Sequence, residues 1–288
     1  MRGRMPEQEI PPQEQEYPGR TGEMEPRPRD EMADYVGRGL LEDRTALVTG
    51  GDSGIGRAVA VAFAKEGADV AVAYLSEDDD AAHTRKLVEQ TGRRCVLLRG
   101  DLAEEQRCVD AVETTVRELG GLDVLVNHAG TQKPATDLRE ITTDQWERTF
   151  RVNVTSIFWL VRAALAHMPD GGSIVNTGSV NGLRGNKSLM DYSASKGAVH
   201  VLTYSLAQSL AERGIRVNCV APGPVWTPLI PATFPESKVE GFGEQVPLGR
   251  AAEPDELAPS YVFLASNRTS SFVTGEVLSA IGGETHPG

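Results

Sequence analysis

Tyr192 and Lys196 stand four positions apart among small residues, in the segment DYSASKGAVH (191–200). Side chains four positions apart share one face of an α-helix. A free phenol has a pKa of about 10 and is a poor base at neutral pH, but a neighbouring ammonium favours the phenolate. The pair predicts a tyrosine that carries a proton to or from a reacting oxygen. The alternative is a solvated helix face with an incidental basic residue.

A hydroxyl that could hold that oxygen lies 13 residues upstream, at Ser179. Ser179 ends the apolar run GSIVNTGS (172–179), and the loop that follows is long enough to fold back. Tyr192, Lys196 and Ser179 could then converge over a nicotinamide ring, where Ser179 would hydrogen-bond the substrate oxygen. This set predicts hydride transfer between a nicotinamide and a small carbonyl or secondary alcohol.

The segment TGGDSGIG (49–56) joins a short β-branched run to a helix. Glycines at a strand–helix turn let the backbone approach a pyrophosphate closely. The segment lacks Gly-Lys-Ser/Thr, which excludes a Walker phosphate loop. The alternative is a glycine-rich turn without a ligand. The contacts that the turn predicts for a dinucleotide are Gly50, Asp52, Ser53, Gly54, Ile55 and Gly56.

The second strand ends at Tyr74, where dinucleotide folds usually carry an acid for the ribose hydroxyls. No lysine or arginine replaces that acid, and carboxylates follow at 77–80. A 2′-phosphate among them would be unfavourable unless a base such as Arg99 approached. On balance the sequence favours NAD over NADP. Asp101, after the third strand, is placed to meet the adenine edge or to cap the next helix.

Apolar runs alternate with helical segments from residue 44 onward. The predicted strands are 45–50, 69–74, 94–101, 123–130, 172–179, 215–223 and 276–283. The predicted helices are 55–68, 79–90, 104–119, 143–166 and one that carries Tyr192 and runs to 212. The strands are almost continuously apolar, so helices should cover both sheet faces. The pattern predicts one α/β domain of the Rossmann type, doubly wound, with a seven-stranded parallel sheet.

The two ends of the chain carry less regular segments. Residues 1–40 are rich in Pro, Glu and Gln and predict an extended or disordered arm in front of a catalytic domain at 41–288. The arm is either a disordered tail or lies along a neighbouring subunit. Residues 222–248 predict a substrate loop or lid, in which Trp226, Phe234 and Phe242 could cover a substrate or pack against a partner subunit. Gln132 and Asn181 are further candidates for substrate contact.

The composition and net charge of the sequence disfavour several classes of function. The 288 residues carry a net charge of −12, which disfavours nucleic-acid and membrane-surface roles. Three scattered cysteines form no metal-ligand cluster, and no metal site is predicted. The N-terminus has no secretory h-region, so a reducing, cytoplasmic location is expected.

Several ordered motifs resemble the short-chain dehydrogenase/reductase family over about residues 41–284. They are Thr49-Gly50-x-x-x-Gly54-Ile55-Gly56, Asn127-x-Ala129-Gly130, Asn153, Ser179, Tyr192-x-x-x-Lys196 and Pro222-Gly223. The arm and the segment APGPVWTPLIPATFPESKV resemble a subgroup of glucose/ribitol dehydrogenase-like proteins and aldehyde reductases. The short tyrosine–lysine spacing favours carbonyl chemistry over enoyl reduction.

The resemblance implies roles for further residues. Asn153 would extend the catalytic set by kinking its helix and fixing a water in a proton relay to Lys196. Cofactor contacts are implied at Leu102, Asn127, Ala129, Gly130, Pro222, Gly223, Val225 and Thr227. His128 stands where the family has a second asparagine that stabilises the sheet, so an effect on packing is expected. A homotetramer is implied as well; the alternative function is a cofactor-sensing or scaffolding protein without turnover.

Overall fold

The computed structural model describes residues 9–285 as strands that alternate with helices. The strands are β1 (Thr45–Thr49), β2 (Asp69–Tyr74), β3 (Cys95–Arg99), β4 (Val124–Asn127), β5 (Ser173–Thr177), β6 (Arg216–Pro222) and β7 (Val277–Ala280). The helices are α1 (Gly54–Lys65), α2 (Asp78–Glu89), α3 (Glu105–Leu119), α4 (Thr143–Phe150), α5 (Ser156–Ala164), α6 (Val180–Arg184), α7 (Met190–Ser209), α8 (Leu229–Thr233), α9 (Glu236–Val239), α10 (Pro254–Ala265) and α11 (Asn267–Ser270). None of the helices within residues 9–285 combines the length and apolar character that a membrane crossing needs.

All seven strands join one parallel sheet in the order β3-β2-β1-β4-β5-β6-β7. The chain order reverses between β1 and β4, so right-handed crossovers place helices on both faces. Every residue of β1, β2, β4, β5 and β6 is buried, as the continuous apolar runs predict. The predicted Rossmann-type fold with a seven-stranded parallel sheet is confirmed.

Two apolar layers hold the sheet between its helices. One contains Phe63 of α1 and Tyr261 of α10, both fully buried. The other contains Val112 of α3, Leu160 of α5 and Val199 of α7. Burial of these side chains fixes each helix against the strands and thereby fixes the strand ends, where the site lies.

The predicted helix over 143–166 is not continuous. The structure divides it into α4, a π-helical turn at Arg151–Thr155, and α5. π-helical turns inside helices are rare and often occur at functional sites, because the extra residue per turn redirects a side chain. Here the redirected side chain is that of Asn153.

Residues 9–40 pack on the chain's own domain, with one 3₁₀ turn at Thr21–Glu23. Ile10 and Met24 are buried in a small apolar cluster with Trp226, Ile230 and Val239 of the segment after β6. These contacts join the arm to the chain's own domain; whether it also lies along a neighbouring subunit stays a prediction. Residues 1–8 of the predicted arm and 286–288 of the predicted domain lie outside the described range.

Candidate active site

The turn between β1 and α1 is shaped by glycines. The backbone φ is +66° at Gly50 and +51° at Gly54, the left-handed region that favours glycine. A Cβ on Gly56 would lie 1.8 Å from the Gly50 carbonyl oxygen, so this position admits no side chain. Because α1 begins at Gly54, the turn offers amide groups and the positive end of a helix dipole. This cradle fits the pyrophosphate of a dinucleotide.

Two carboxyl groups lie at the glycine turn. Burial, reinforced by the charge of Glu77, raises the pKa of Asp52 to about 7. Asp30 of the arm accepts a hydrogen bond from the Gly54 amide at 3.1 Å and one from Arg57 at 3.0 Å. Burial raises the pKa of Asp30 to about 6. Since Asp52 is only partly ionised near pH 7, it opposes a bound phosphate less than a full charge would.

A cleft of about 330 Å³ runs along the carboxyl ends of the strands, where doubly wound sheets bind ligands. The predicted site residues, from Gly50 to Thr227, line it with four exceptions: Gly56, Asn127, Asn153 and Trp226. The glycine turn and the Tyr192–Lys196 pair therefore share one cleft.

Ser179, Tyr192 and Lys196 meet at the ends of α6 and α7. Ser179 caps α6, its hydroxyl accepting from the Asn181 amide at 3.1 Å, and it lines the cleft together with Tyr192. Lys196 is 4% exposed, and its Nζ lies 5.7 Å from the centre of the Tyr192 ring. That Nζ donates to the Thr177 carbonyl at 2.7 Å, which holds the ammonium at the strand end. A hydroxyl, a phenol and a cation thus face one point of the cleft.

The pKa shifts in this group are set mainly by burial. Burial raises the pKa of Tyr192 above its ordinary value of 10, while the nearby Ser179 hydroxyl acts in the opposite direction. Burial lowers the pKa of Lys196 to about 8. The lowering of the tyrosine pKa that the sequence predicts from Lys196 is not among these causes. Because a pKa above 10 favours the neutral form, the phenol stays protonated at neutral pH.

Asn153 lies behind this group and does not line the cleft. Its Nδ2 donates to the Thr131 carbonyl at 2.9 Å and to the Ser195 hydroxyl at 3.0 Å, and its Oδ1 accepts from the Thr131 amide at 2.8 Å. Ser195 in turn donates to the Tyr192 carbonyl at 2.7 Å. The π-helical turn directs Asn153 inward and so ties α7 to the loop after β4.

The side chains of Asn127 and His128 lie in different places relative to the cleft. Asn127 Nδ2 donates to Asn176 Oδ1 on β5 at 2.9 Å, so its side chain links strands and lies away from the cleft. His128 lines the cleft, with Nδ1 3.2 Å from the Thr177 hydroxyl. Burial, and then the charge of Lys196, lowers the pKa of His128 to about 3, so its ring is neutral. The predicted cofactor contact at Asn127 is therefore not made by a cleft-lining side chain, and the expected packing effect of His128 stays a prediction.

The substrate end of the cleft combines polar and aromatic side chains. Gln132 Nε2 donates to the Thr233 hydroxyl at 2.9 Å. Phe234 and Phe242 line the cleft, with ring centres 6.4 Å apart. Trp226, predicted as a substrate contact, is 1% exposed and donates from Nε1 to the Pro26 carbonyl at 2.8 Å. It anchors the arm, and that prediction is corrected.

Arg148 and Tyr17 are among the cleft residues that the sequence did not predict. Arg148 of α4 donates to Asp101 at 2.7 Å, which places a cation beside the predicted adenine contact. Tyr17 of the arm lines the same cleft. Neither stands in a recognisable motif, and both reach the cleft through contacts distant in sequence.

The cradle at the helix N-terminus and the buried phenol–ammonium pair define a nicotinamide-dependent oxidoreductase on a Rossmann fold. Known proteins support the same class. A family model described as enoyl-(acyl carrier protein) reductase matches residues 50–285. General stress protein 39 of Bacillus subtilis (strain 168) is 52% identical over 276 residues, 96% of each chain.

The names of two further similar proteins include a cofactor. The NADPH-dependent aldehyde reductase 1, chloroplastic, of Arabidopsis thaliana is 47% identical over 92% of this chain and 94% of its own. A short-chain dehydrogenase from Burkholderia cenocepacia J2315, solved in complex with NADP, superposes with a TM-score of 0.79 and 34% identity, over 85% of this chain and 98% of its own. The chain belongs to the short-chain dehydrogenase/reductase family and is an NAD(P)-dependent enzyme that acts on CH–OH groups. The predicted preference for NAD gains no support from these relatives.

Proposed function

We propose that the protein reduces small carbonyl compounds to alcohols, and catalyses the reverse, with Tyr192 as general acid and base. The observation that carries this proposal is the placement of Ser179, Tyr192 and Lys196 in the cleft that also contains the glycine turn, with Lys196 Nζ 5.7 Å from the centre of the Tyr192 ring. The alternative, a sensing protein without turnover, would not require this arrangement.

The residues of this chain divide the proton chemistry among themselves. The nicotinamide supplies or accepts the hydride. In carbonyl reduction Ser179 donates a hydrogen bond to the substrate oxygen, and Tyr192 delivers its proton there as negative charge develops. The buried Lys196 ammonium stabilises the resulting phenolate until a proton returns from solvent. Asn153 fixes the loop after β4 and, through Ser195, the backbone at Tyr192.

The raised pKa of Tyr192 gives the two directions different pH dependence. Reduction uses the protonated phenol, which burial favours. Oxidation uses the phenolate, which forms only as pH rises. We therefore propose that reduction predominates at neutral pH and that the rate of oxidation increases with pH.

We propose NADP(H) as the preferred cofactor. Two of the carboxylates after β2 are neutralised by arginines: Asp78 pairs with Arg99 at 2.9 Å, and Asp80 pairs with Arg57 at 2.7 Å. Their repulsion of a 2′-phosphate is therefore weaker than the number of acidic residues suggests. Tyr74 donates to Asp78 at 2.8 Å and stands where an acid would exclude the phosphate. The names of the Arabidopsis and Burkholderia relatives support the same choice.

The remaining contacts of the cofactor follow from the cleft. We propose that the turn at 50–55 holds the pyrophosphate, Asp101 the adenine edge and Lys196 the nicotinamide ribose. Val225 and Thr227 would hold the carboxamide. Gln132, Phe234 and Phe242 would then face a small substrate of mixed polarity, for which an aldehyde is the first choice.

We further propose that residues 41–288 form the catalytic domain of a homotetramer. α5 exposes Phe158 (50%), and α7 exposes Val201 (61%) and Tyr204 (40%). These side chains form apolar surface on the long helices through which the resemblance implies assembly. A cytoplasmic location remains part of this proposal.

The test is NADPH consumption at 340 nm with a panel of aldehydes, ketones, sugars and enoyl thioesters. We expect turnover with an aldehyde or ketone, and a loss of about 10²- to 10⁴-fold in kcat for Tyr192→Phe, the usual contribution of a general acid. NADPH affinity should stay within about twofold, because the phenyl ring is kept. Full activity of Tyr192→Phe would refute the acid–base role, and turnover of enoyl substrates alone would replace carbonyl chemistry by double-bond reduction.

A further inference from the structure

One stretch of the arm crosses the mouth of the cleft. We call residues 15–21 the strap. Tyr17, Pro18 and Gly19 line the same cleft as the glycine turn and Tyr192. The family model begins at residue 50, so the strap lies outside the part of the chain that defines the family. A segment outside that common part thus borders the cofactor cleft.

The two ends of the strap are tied to opposite sides of the cleft. The Gln15 amide donates to the Pro231 carbonyl of α8 at 2.9 Å. The Thr21 amide donates to Asp80 Oδ2 of α2 at 3.0 Å. α2 follows β2 and α8 follows β6, which lie on either side of β1 and β4 in the sheet. The strap therefore spans the point where the strand order reverses, which is where such folds bind dinucleotides.

Tyr17 faces the part of the cleft assigned above to adenosine. The charges of Arg148, Glu77 and Asp101 act on its hydroxyl, so these three side chains lie near it. The side chain is still 45% exposed, so one part of the ring faces solvent or the cleft. An aromatic ring beside a cation and an adenine contact is suited to cover a nucleobase or ribose.

Gly19 lets the strap lie close to the domain. Its φ is +89°, and a Cβ there would be 2.5 Å from the Pro228 carbonyl oxygen and 2.9 Å from Ala232 Cβ. Any side chain at this position would lift the strap from the residues after β6. Gly22, three positions on, has nothing within 4 Å of an added Cβ and a φ outside the left-handed region. The arm thus contains one glycine, Gly19, that has no room for a side chain, and another, Gly22, that has room for one.

We propose that the strap is part of the cofactor site: it closes over the bound dinucleotide, with Tyr17 against the adenosine half, and slows cofactor release. The inference rests on the proposed NADP(H) site. Closure requires no new fold, because the strap already bridges α2 and α8. The strap residues add contacts that the glycine turn alone would lack.

The test compares Tyr17→Ala and Gly19→Ala with Gly22→Ala as the matched control. NADPH affinity is measured by fluorescence titration and its release by stopped-flow displacement with excess NADP⁺. We expect about tenfold faster release and about tenfold weaker binding for the first two variants, equivalent to about 1.4 kcal/mol. Gly22→Ala should behave as the wild type. Amide hydrogen exchange at 15–21 should slow when NADPH binds to the wild type.

The outcomes separate the two proposals. If wild-type protein binds neither NADPH nor NADH, the proposed function fails and the role of the strap fails with it. If wild-type protein binds NADPH and Tyr17→Ala releases it at the same rate, the strap alone is refuted. Tighter NADPH binding by Tyr17→Ala would also refute the role of the strap, because the strap would then obstruct the cofactor site. The melting temperature of each variant without cofactor shows whether Gly19→Ala is misfolded. If it is, the release rate of Tyr17→Ala alone tests the role of the strap.

Discussion

Asp30 links the arm to the glycine turn by hydrogen bonds. Replacing it separates the effect of these hydrogen bonds on stability from the effect of the carboxyl charge. Its oxygens accept from the Gly54 amide at 3.1 Å and from Arg57 at 3.2 and 3.0 Å, and the residue is 1% exposed. Arg57 keeps other partners, including Asp80 at 2.7 Å. Asp30→Asn retains an acceptor for Gly54 and Arg57, whereas Asp30→Ala leaves both donors without it.

Each buried donor left without a partner costs about 1–3 kcal/mol. We therefore expect Asp30→Ala to be less stable than Asp30→Asn by about 3 kcal/mol. The charge of the Asp30 carboxyl affects the free energy of unfolding separately from these hydrogen bonds. A folded-state pKa of about 6 in place of 3.8 means that the folded protein prefers the neutral carboxyl. The stability from this preference is complete below pH 3.8 and is lost as the pH rises through 6.

The wild type should therefore gain about 1.4 kcal/mol relative to Asp30→Asn between pH 7 and pH 5. Urea unfolding of the three proteins at both pH values, at one protein concentration, measures these differences. Equal stability of Asp30→Ala and Asp30→Asn would show that the carboxyl is not tied to Gly54. A gap between wild type and Asp30→Asn that does not change with pH would refute the raised pKa.

Two further predictions concern the cleft and the assembly. The pKa of His128, lowered to about 3, means that the unfolded chain binds a proton below pH 6.5 that the folded one excludes, so stability falls as the pH falls. His128→Asn should lose about 2 kcal/mol less than the wild type between pH 7 and pH 5 in urea unfolding, and an equal loss would contradict a neutral buried ring. Val201→Arg places a charge on the exposed apolar face of α7 and should shift the mass seen by light scattering from a tetramer to smaller species. A wild type that is already monomeric would refute the tetramer.

The fold could be predicted because its signals are local. Each strand is a short apolar run, such as the one ending at Tyr74, and each crossover is a helix of ordinary length. The glycine turn was predictable for the same reason, since Gly50 and Gly54 need a backbone conformation that their neighbours in sequence impose. Tyr192 and Lys196 share a face of one helix, so their proximity needed no tertiary information.

The rest depends on contacts between distant residues. Trp226 looks like a lid residue until Pro26, 200 positions away, accepts its hydrogen bond. Arg148 and Asp101 meet across 47 positions, and no spacing rule connects them. Which of Asn127 and His128 faces the cleft depends on the register of β4 against its neighbours. A shift of one residue in that register would exchange the directions of successive side chains.

Ile10 and Met24 share a cluster with Trp226, Ile230 and Val239, so two stretches far apart in sequence pack as one unit. The segment that we propose to contact the substrate therefore rests on side chains of the arm. A substitution in either stretch disturbs the other, and a transplanted substrate segment would need its own arm to keep its shape.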